Sequence, residues 1–325
     1  MLSDEPNAFR ATWQDAAVQR QSSFQRPEHS SKPMGSTELK PPIILIGNHR
    51  SGTTLTQELI GLHQDVATWY EPRTLWRYAD PTRPHDESDE NDATANVVQY
   101  IRRRFLKYQL QHGGRRIMEK TPSNVLRVRF VHKIFPEAIY LYITRNPFSC
   151  MSSNELKWHR TKTWAGLRRS LADVPLSQIH CYAGDFFQHM FIRKVSNGGH
   201  LSVWGPRYRG IDRDLEEHGV LRVIARQWAR CNRKAREDLA EVGNGRVFSF
   251  RYEDLIQDPP SVLRRLYDHC GLRCYDGLLQ KAQTMIDPGR QEKWLRLDPE
   301  ALKAIMPEIQ DEMAHYGYDI PTSLQ

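Results

Sequence analysis

The chain has 325 residues, 39% of them hydrophobic and 26% charged, with a formal net charge of +7. That length carries one large α/β domain or two small ones around an ample core. No stretch reaches the length of a membrane span: residues 41–47 are a strand's worth of apolar chain, and residues 1–40 lack an apolar signal-peptide core. A cytoplasmic protein with no transmembrane segment is the expectation.

Five cysteines (Cys150, Cys181, Cys231, Cys270 and Cys274) show no paired metal-ligand spacing, so reduced structural thiols and no metal are expected. The positive charge alone leaves nucleic acid, an anionic membrane face and a small acidic ligand open. Basic residues are scattered among carboxylates except at Arg102, Arg103 and Arg104, which read as a solvated helix face, so no nucleic-acid partner is expected.

In chain order, residues 1–40 read as a weakly structured lead-in and 41–325 as a single domain. Ile43, Ile44, Leu45 and Ile46 form a short aliphatic run suited to a strand buried on both faces of a parallel sheet. After Gly52 the apolar residues Leu55, Leu59, Ile60 and Leu62 recur at helical spacing. An acidic, proline-bearing loop spans 81–92, and a basic amphipathic helix covers 97–111. A strand at 116–118, a helix from 123 to 135 and a strand at 138–144 follow. Asn146 and Pro147 then cap the next helix. Residues 160–215 are irregular. A helix is predicted at 221–239, a strand at 247–251, a helix at 260–270 and a last helix at 299–316. Strands alternating with helices imply a three-layer αβα fold with a mostly parallel central sheet, and ligands at the carboxyl ends of its strands.

The junction from Gly47 to Thr54 (GNHRSGTT) joins the buried strand to a helix. Two glycines at this spacing let the backbone curl so that its N–H groups and the helix dipole face an anion. Thr53 stands where an ATPase or GTPase carries lysine, and Arg50 within the loop is the remaining cation. MgATP is therefore disfavoured. Arg145 closes the strand at 138–144. Ser149, Ser153 and Lys157 follow at intervals of four, one face of a helix. Arginine at the strand end and a serine two turns in are able to grip one phosphate from two sides.

These two segments resemble the donor site of sulfotransferases that use 3′-phosphoadenosine-5′-phosphosulfate (PAPS). Arg50, Ser51, Gly52, Thr53 and Thr54 look like the family's 5′-phosphosulfate loop, and Arg145 with Ser153 like its 3′-phosphate signature. The loop arginine is similar to the tyrosylprotein and related carbohydrate-type branch. There the likeness gives Lys157 a further basic contact and sets Tyr252 near the adenosine. Arg290 and Lys293 are the residues expected to reach the nucleotide phosphates. It implies a P-loop-like sulfotransferase architecture with PAPS as donor, PAP as product and no metal. Residues 76–115 and 160–215 have no counterpart in a specific member and are expected to be insertions that cover the substrate. Glu292 replaces the branch's serine before its lysine–tryptophan pair.

The same likeness implies Glu71 as catalytic base and Lys120 against the transferring sulfonate, with Arg50 meeting charge on the leaving oxygen. Pro72 biases Glu71 toward an extended backbone at a strand end, and burial between aromatics is expected to raise its pKa. A Glu71–Arg73 ion pair is the structural alternative, and His112 is a rival base. The reaction expected is sulfuryl transfer to a hydroxyl or amine of a small molecule, glycan or peptide. A P-loop-type kinase and a non-catalytic anion-binding module remain the alternatives.

Overall fold

The computed structural model describes residues 38–158, 205–243, 245–287 and 298–322, with 153–158 as backbone alone. The lead-in as far as residue 37, and residues 160–204 of the expected insertion at 160–215, lie outside the described residues. Five short strands build one sheet: β1 (Ile43–Gly47), β2 (Val66–Tyr70), β3 (Arg116–Lys120), β4 (Ile139–Thr144) and β5 (Val247–Arg251). All adjacent pairs run parallel, in the order β2-β3-β1-β4-β5.

β1 is central, and each of its five residues is buried. Its alternate side chains feed two separate cores. Ile44 and Ile46 pack with α3 (Ala95–Gln111), α4 (Val128–Ile134), α6 (Ile211–Val242) and α10 (Pro299–His315) through Ile101, Phe105, Val131, Trp228 and Ile309. Ile43 and Leu45 face α1 (Thr53–Ile60), α7 (Tyr252–Gln257), α8 (Pro259–His269) and α9 (Asp276–Gln283). Helices on both faces explain why β1 and β4 lack polar alternation and why the aliphatic run was readable as a buried strand. The three-layer αβα reading stands.

Several local expectations change. Residues 122–126 form a 3-10 turn ahead of α4, rather than the first turn of one helix. The long helix starts at Ile211 rather than 221 and is broken at Gly219, whose φ of 75° and ψ of 172° leave the helical region. Within 76–115, α3 sends Val97, Ile101 and Phe105 into the core under β3. Arg102, read as solvated, instead donates to the Ile134 carbonyl at 2.8 Å and pairs with Glu137. Among the described residues, no helix is long and apolar enough to cross a membrane.

The topology marks one crevice of the sheet. From β1 the chain continues toward β2 on one side of the sheet, and from β4 toward β5 on the other. The crevice outside the carboxyl ends of β1 and β4 is therefore the switch point of the sheet, the usual binding place in such folds.

Phe105 is fully buried among the rings of Trp69, Trp76 and Phe135 at 5.2, 5.8 and 4.5 Å. Phe105→Ala is expected to cost about 3–5 kcal/mol of stability, read as a lower urea midpoint at unchanged m-value.

Candidate active site

Each strand delivers a candidate site residue at its carboxyl end. β1 leads into Arg50–Thr54, β2 into Glu71, β3 ends on Lys120, β4 leads into Arg145 and β5 into Tyr252.

The loop after β1 is a tight cradle. The Ser51 N–H donates to the Asn48 carbonyl at 3.2 Å, and Gly52 at φ 92° turns the chain into α1. A Cβ on Gly47 would lie 2.6 Å from Ile143 Cγ2 and 2.8 Å from Thr53 Cγ2. One on Gly52 would lie 2.3 Å from the Tyr252 ring, so close approach requires both glycines, and the positive φ requires Gly52 as well. Arg50 is exposed and holds φ at 65°, while Ser51 and Thr53 are buried. The amides of the first turn of α1 are those that a helix leaves without intrahelical acceptors.

Arg145 lies against this cradle. Its Nη1 donates to the Arg50 carbonyl at 3.1 Å, and its guanidinium lies 4.2 Å from the centroid of the Tyr252 ring. Tyr252 is thus a buried wedge between Gly52 and Arg145. The segment is anchored from behind: Trp228 Nε1 donates to the Arg145 carbonyl at 3.0 Å, and the Asn146 N–H donates to Glu253 Oε1 at 3.0 Å. Tyr318 donates to Glu253 Oε2. Asn146 accepts from the Phe148 N–H at 3.0 Å and so caps α5 (Pro147–Trp158), as the Asn-Pro pair predicts. Ser149 is buried. Ser153 and Lys157 lie on α5, of which only the backbone is described there.

On the other side of the cradle stands an ion-pair cluster. Lys120 Nζ lies 2.7 Å from Glu71 Oε1 and 3.4 Å from Thr54 Oγ1, and 4.1 Å from the centroid of the Tyr70 ring. Arg73 donates to Glu71 Oε2 through Nε at 3.0 Å and Nη2 at 2.5 Å. The Arg73 pairing and the Lys120 contact thus coexist on one carboxylate. Glu71 has φ of 46°; it and Arg50 are the two non-glycine residues with positive φ among the described residues. Such strain concentrates at functional sites.

The expected rise in the Glu71 pKa does not hold. Burial pushes its carboxyl up, but Arg73 and Lys120 together outweigh that push and hold it below the usual carboxylate range. The extended backbone expected from Pro72 also gives way, since positive φ is left-handed. His112 sits at the C-terminal cap of α3, its Nδ1 2.8 Å from the Tyr108 carbonyl and its ring stacked on Tyr108. It precedes β3, at the end of the sheet opposite Lys120. Arg290, Glu292 and Lys293 lie outside the described residues. Sequence reasoning missed Tyr70, which is 56% exposed beside Lys120, and Glu253, which fixes Asn146.

Gly52→Ala is expected to cost about 1–3 kcal/mol through its positive φ and the Tyr252 clash. Tyr252→Ala in the same chain should return part of that loss, since it removes the clash and leaves the φ strain. Urea denaturation of the single and double variants measures this coupling.

The fold and sequence have counterparts among known proteins. The Sulfotransferase family profile matches residues 41–198 and 201–276. The omega-hydroxy-beta-dihydromenaquinone-9 sulfotransferase Stf3 of Mycobacterium bovis is 23% identical over 287 residues, covering 85% of this chain and 62% of that protein. The chain thus spans less than two thirds of the length of this curated relative. The sulfotransferase domain from the curacin biosynthetic pathway superposes with a TM-score of 0.52 at 17% identity, over 87% of this chain and 100% of that domain. The corresponding domain of the Synechococcus PCC 7002 olefin synthase gives 0.50 at 18% identity, over 92% and 100%. The superpositions show a shared fold, and the profile, matching well over half of the chain, shows its kinship: the chain belongs to the sulfotransferase family.

Proposed function

We propose that the protein transfers a sulfuryl group from PAPS to a hydroxyl or amine of a small molecule, glycan or peptide, by in-line displacement. The observation that carries this reading is the contact between Arg145 and the Arg50 carbonyl, which brings two basic turns, 95 residues apart in sequence, to one crevice.

The residues present suit the nucleotide. The cradle has no room for a Cβ at Gly47 or Gly52, and it presents helix-terminal amides beside Arg50. Arg145, a planar cation stacked on Tyr252, suits a second phosphate. PAPS supplies the sulfuryl group and leaves as PAP. Arg50 and the first-turn amides of α1 would stabilise charge on the leaving 5′-phosphate oxygen. Lys120 contacts both Thr54 and Glu71, which supports it as the residue that would neutralise the sulfonate. Glu71 would orient the acceptor and accept its proton. Its depressed pKa keeps it ionised at neutral pH, and release from Arg73 or Lys120 would make it more basic.

The arginine loop and Glu71 support the tyrosylprotein-type arrangement as our choice of catalytic set. Ser153, Lys157, Arg290 and Lys293 complete the nucleotide contacts in this reading. The free thiols of Cys150, Cys231 and Cys270, all buried, fit a cytoplasmic setting.

Calorimetry of the full chain tests the donor. PAP should bind in EDTA, MgATP should not compete, and Arg145→Ala should weaken PAP more than adenosine 5′-monophosphate. Equal weakening of both nucleotides would remove the 3′-phosphate role of Arg145. With radiolabelled PAPS and a panel of phenols, glycans and peptides, Glu71→Gln should lower kcat by roughly a hundredfold or more with little change in PAP affinity. Unchanged turnover would remove Glu71 as base.

A further inference from the structure

Glu119 precedes Lys120 on β3 and is fully buried. Nothing in the transfer chemistry described so far uses it. Three donors converge on its carboxylate. Trp76 Nε1 donates to Oε1 at 3.0 Å, Thr121 Oγ1 to Oε1 at 2.5 Å, and Asn124 Nδ2 to Oε2 at 2.9 Å. Burying a carboxylate is costly unless its oxygens are satisfied in this way.

The partners belong to two segments of the site. Trp76 ends α2 (Arg73–Trp76), the single turn of helix that starts two residues after Glu71. Thr121 and Asn124 lie in the chain that leaves Lys120 and enters the 3-10 turn. At the other end of α2, the Glu71 N–H donates to the Lys120 carbonyl at 3.1 Å. The stretch from Glu71 to Trp76 is thus pinned to the end of β3 at both ends, one pin being Glu119.

We propose that Glu119 is a positioning residue for the transfer: its ionised carboxylate locks the Glu71-bearing segment to the Lys120-bearing segment, and its protonation loosens both. This rests on the functional reading above, and it adds a control point outside the reacting groups. Protonation turns one carboxylate oxygen from acceptor into donor; the Thr121 hydroxyl is able to rotate and accept, whereas Trp76 Nε1 and Asn124 Nδ2 only donate, so the carboxyl must shift against them. Burial pushes this carboxyl up to about 7, only partly offset by Thr121, Trp76, Lys120 and Arg127. The charges acting on it are Lys120 on its own strand and Arg127 after the 3-10 turn, itself 3.3 Å from Asp86. The neighbouring strands bring Ile44 and Trp69 level with it and add no charge.

The sign of the effect on stability follows. The folded chain holds this proton more tightly than the unfolded chain, whose carboxyl titrates near 4.5. Glu119 therefore favours folding most below that value, and its contribution declines as pH rises toward about 7. Activity runs the other way, because the ionised carboxylate is the form that accepts from all three donors at once. The acid limb of kcat should lie near neutrality, well above the limb that Glu71 alone would set.

The test uses the full chain and the indole absorbance of Trp76, isolated as the difference between wild type and Trp76→Phe, from about pH 5 to about 9. One ionisation near neutrality is expected in wild type and none in Glu119→Gln. Thr121→Val, which removes one donor to the carboxylate, should move the midpoint upward. It serves equally if Glu119→Gln fails to fold. In turnover with whichever panel acceptor is sulfated, Glu119→Gln should lower kcat roughly tenfold to a hundredfold and shift the acid limb downward. The PAPS KM should stay within about twofold. A flat Trp76 signal, an unmoved midpoint in Thr121→Val, or wild-type kcat and pH profile in Glu119→Gln would each overturn the proposal. Failure of wild type to sulfate any acceptor would count against the functional reading, and the indole titration would still decide the inference.

Discussion

The site depends on one closure: Arg145 donates to the carbonyl of Arg50 while its guanidinium lies over Tyr252, whose ring in turn lies on Gly52. A backbone carbonyl in the cradle after β1 is thereby held by a side chain at the end of β4 and wedged by one at the end of β5. The anchors behind Arg145, Trp228 on its carbonyl and Glu253 on the next amide, keep the arginine from drifting. Positive φ at Arg50 and Gly52 is sustained because this packing leaves the loop no relaxed alternative.

Around that closure the parallel sheet acts as a plate whose five carboxyl ends face one crevice. Ionic chemistry occupies its β2–β3 half, where Glu71 lies between Arg73 and Lys120. The tight loop after β1 and Arg145 occupy its β1–β4 half. Thr54 and Lys120, 3.4 Å apart, join the two halves. Lys120 has a nearly fully buried side chain, so its ammonium depends on Glu71, Thr54 and the Tyr70 ring to offset lost hydration. The same contacts hold its ammonium between Thr54 and Glu71.

The parts legible in the sequence were those whose cause is local. The buried aliphatic run at 43–46, the two glycines after it and the Asn146–Pro147 cap each announce their conformation through neighbours a few residues away. Glu71 and Lys120 were found through family likeness, and the cross-strand ion pair between them shows in no local pattern. Glu119 was hidden for the same reason. Its partner Trp76 is 43 residues distant, and a carboxylate in the middle of a sequence looks alike whether exposed or enclosed by donors. The Glu71 pKa was misjudged because burial was weighed above the Arg73 pair two residues away, which was legible only as an alternative, and because the Lys120 contact arises only when β2 and β3 pair.

The central claim is geometric: two turns of one sheet grasp opposite ends of a single bisphosphorylated nucleotide. A crystal structure of the full chain with PAP tests it most directly. The account predicts the 5′-phosphate within hydrogen-bond reach of the amides from Gly52 to Thr54 and the 3′-phosphate within reach of the Arg145 guanidinium. PAP bound elsewhere on the chain, or in the cradle with its 3′-phosphate turned away from Arg145, would contradict it.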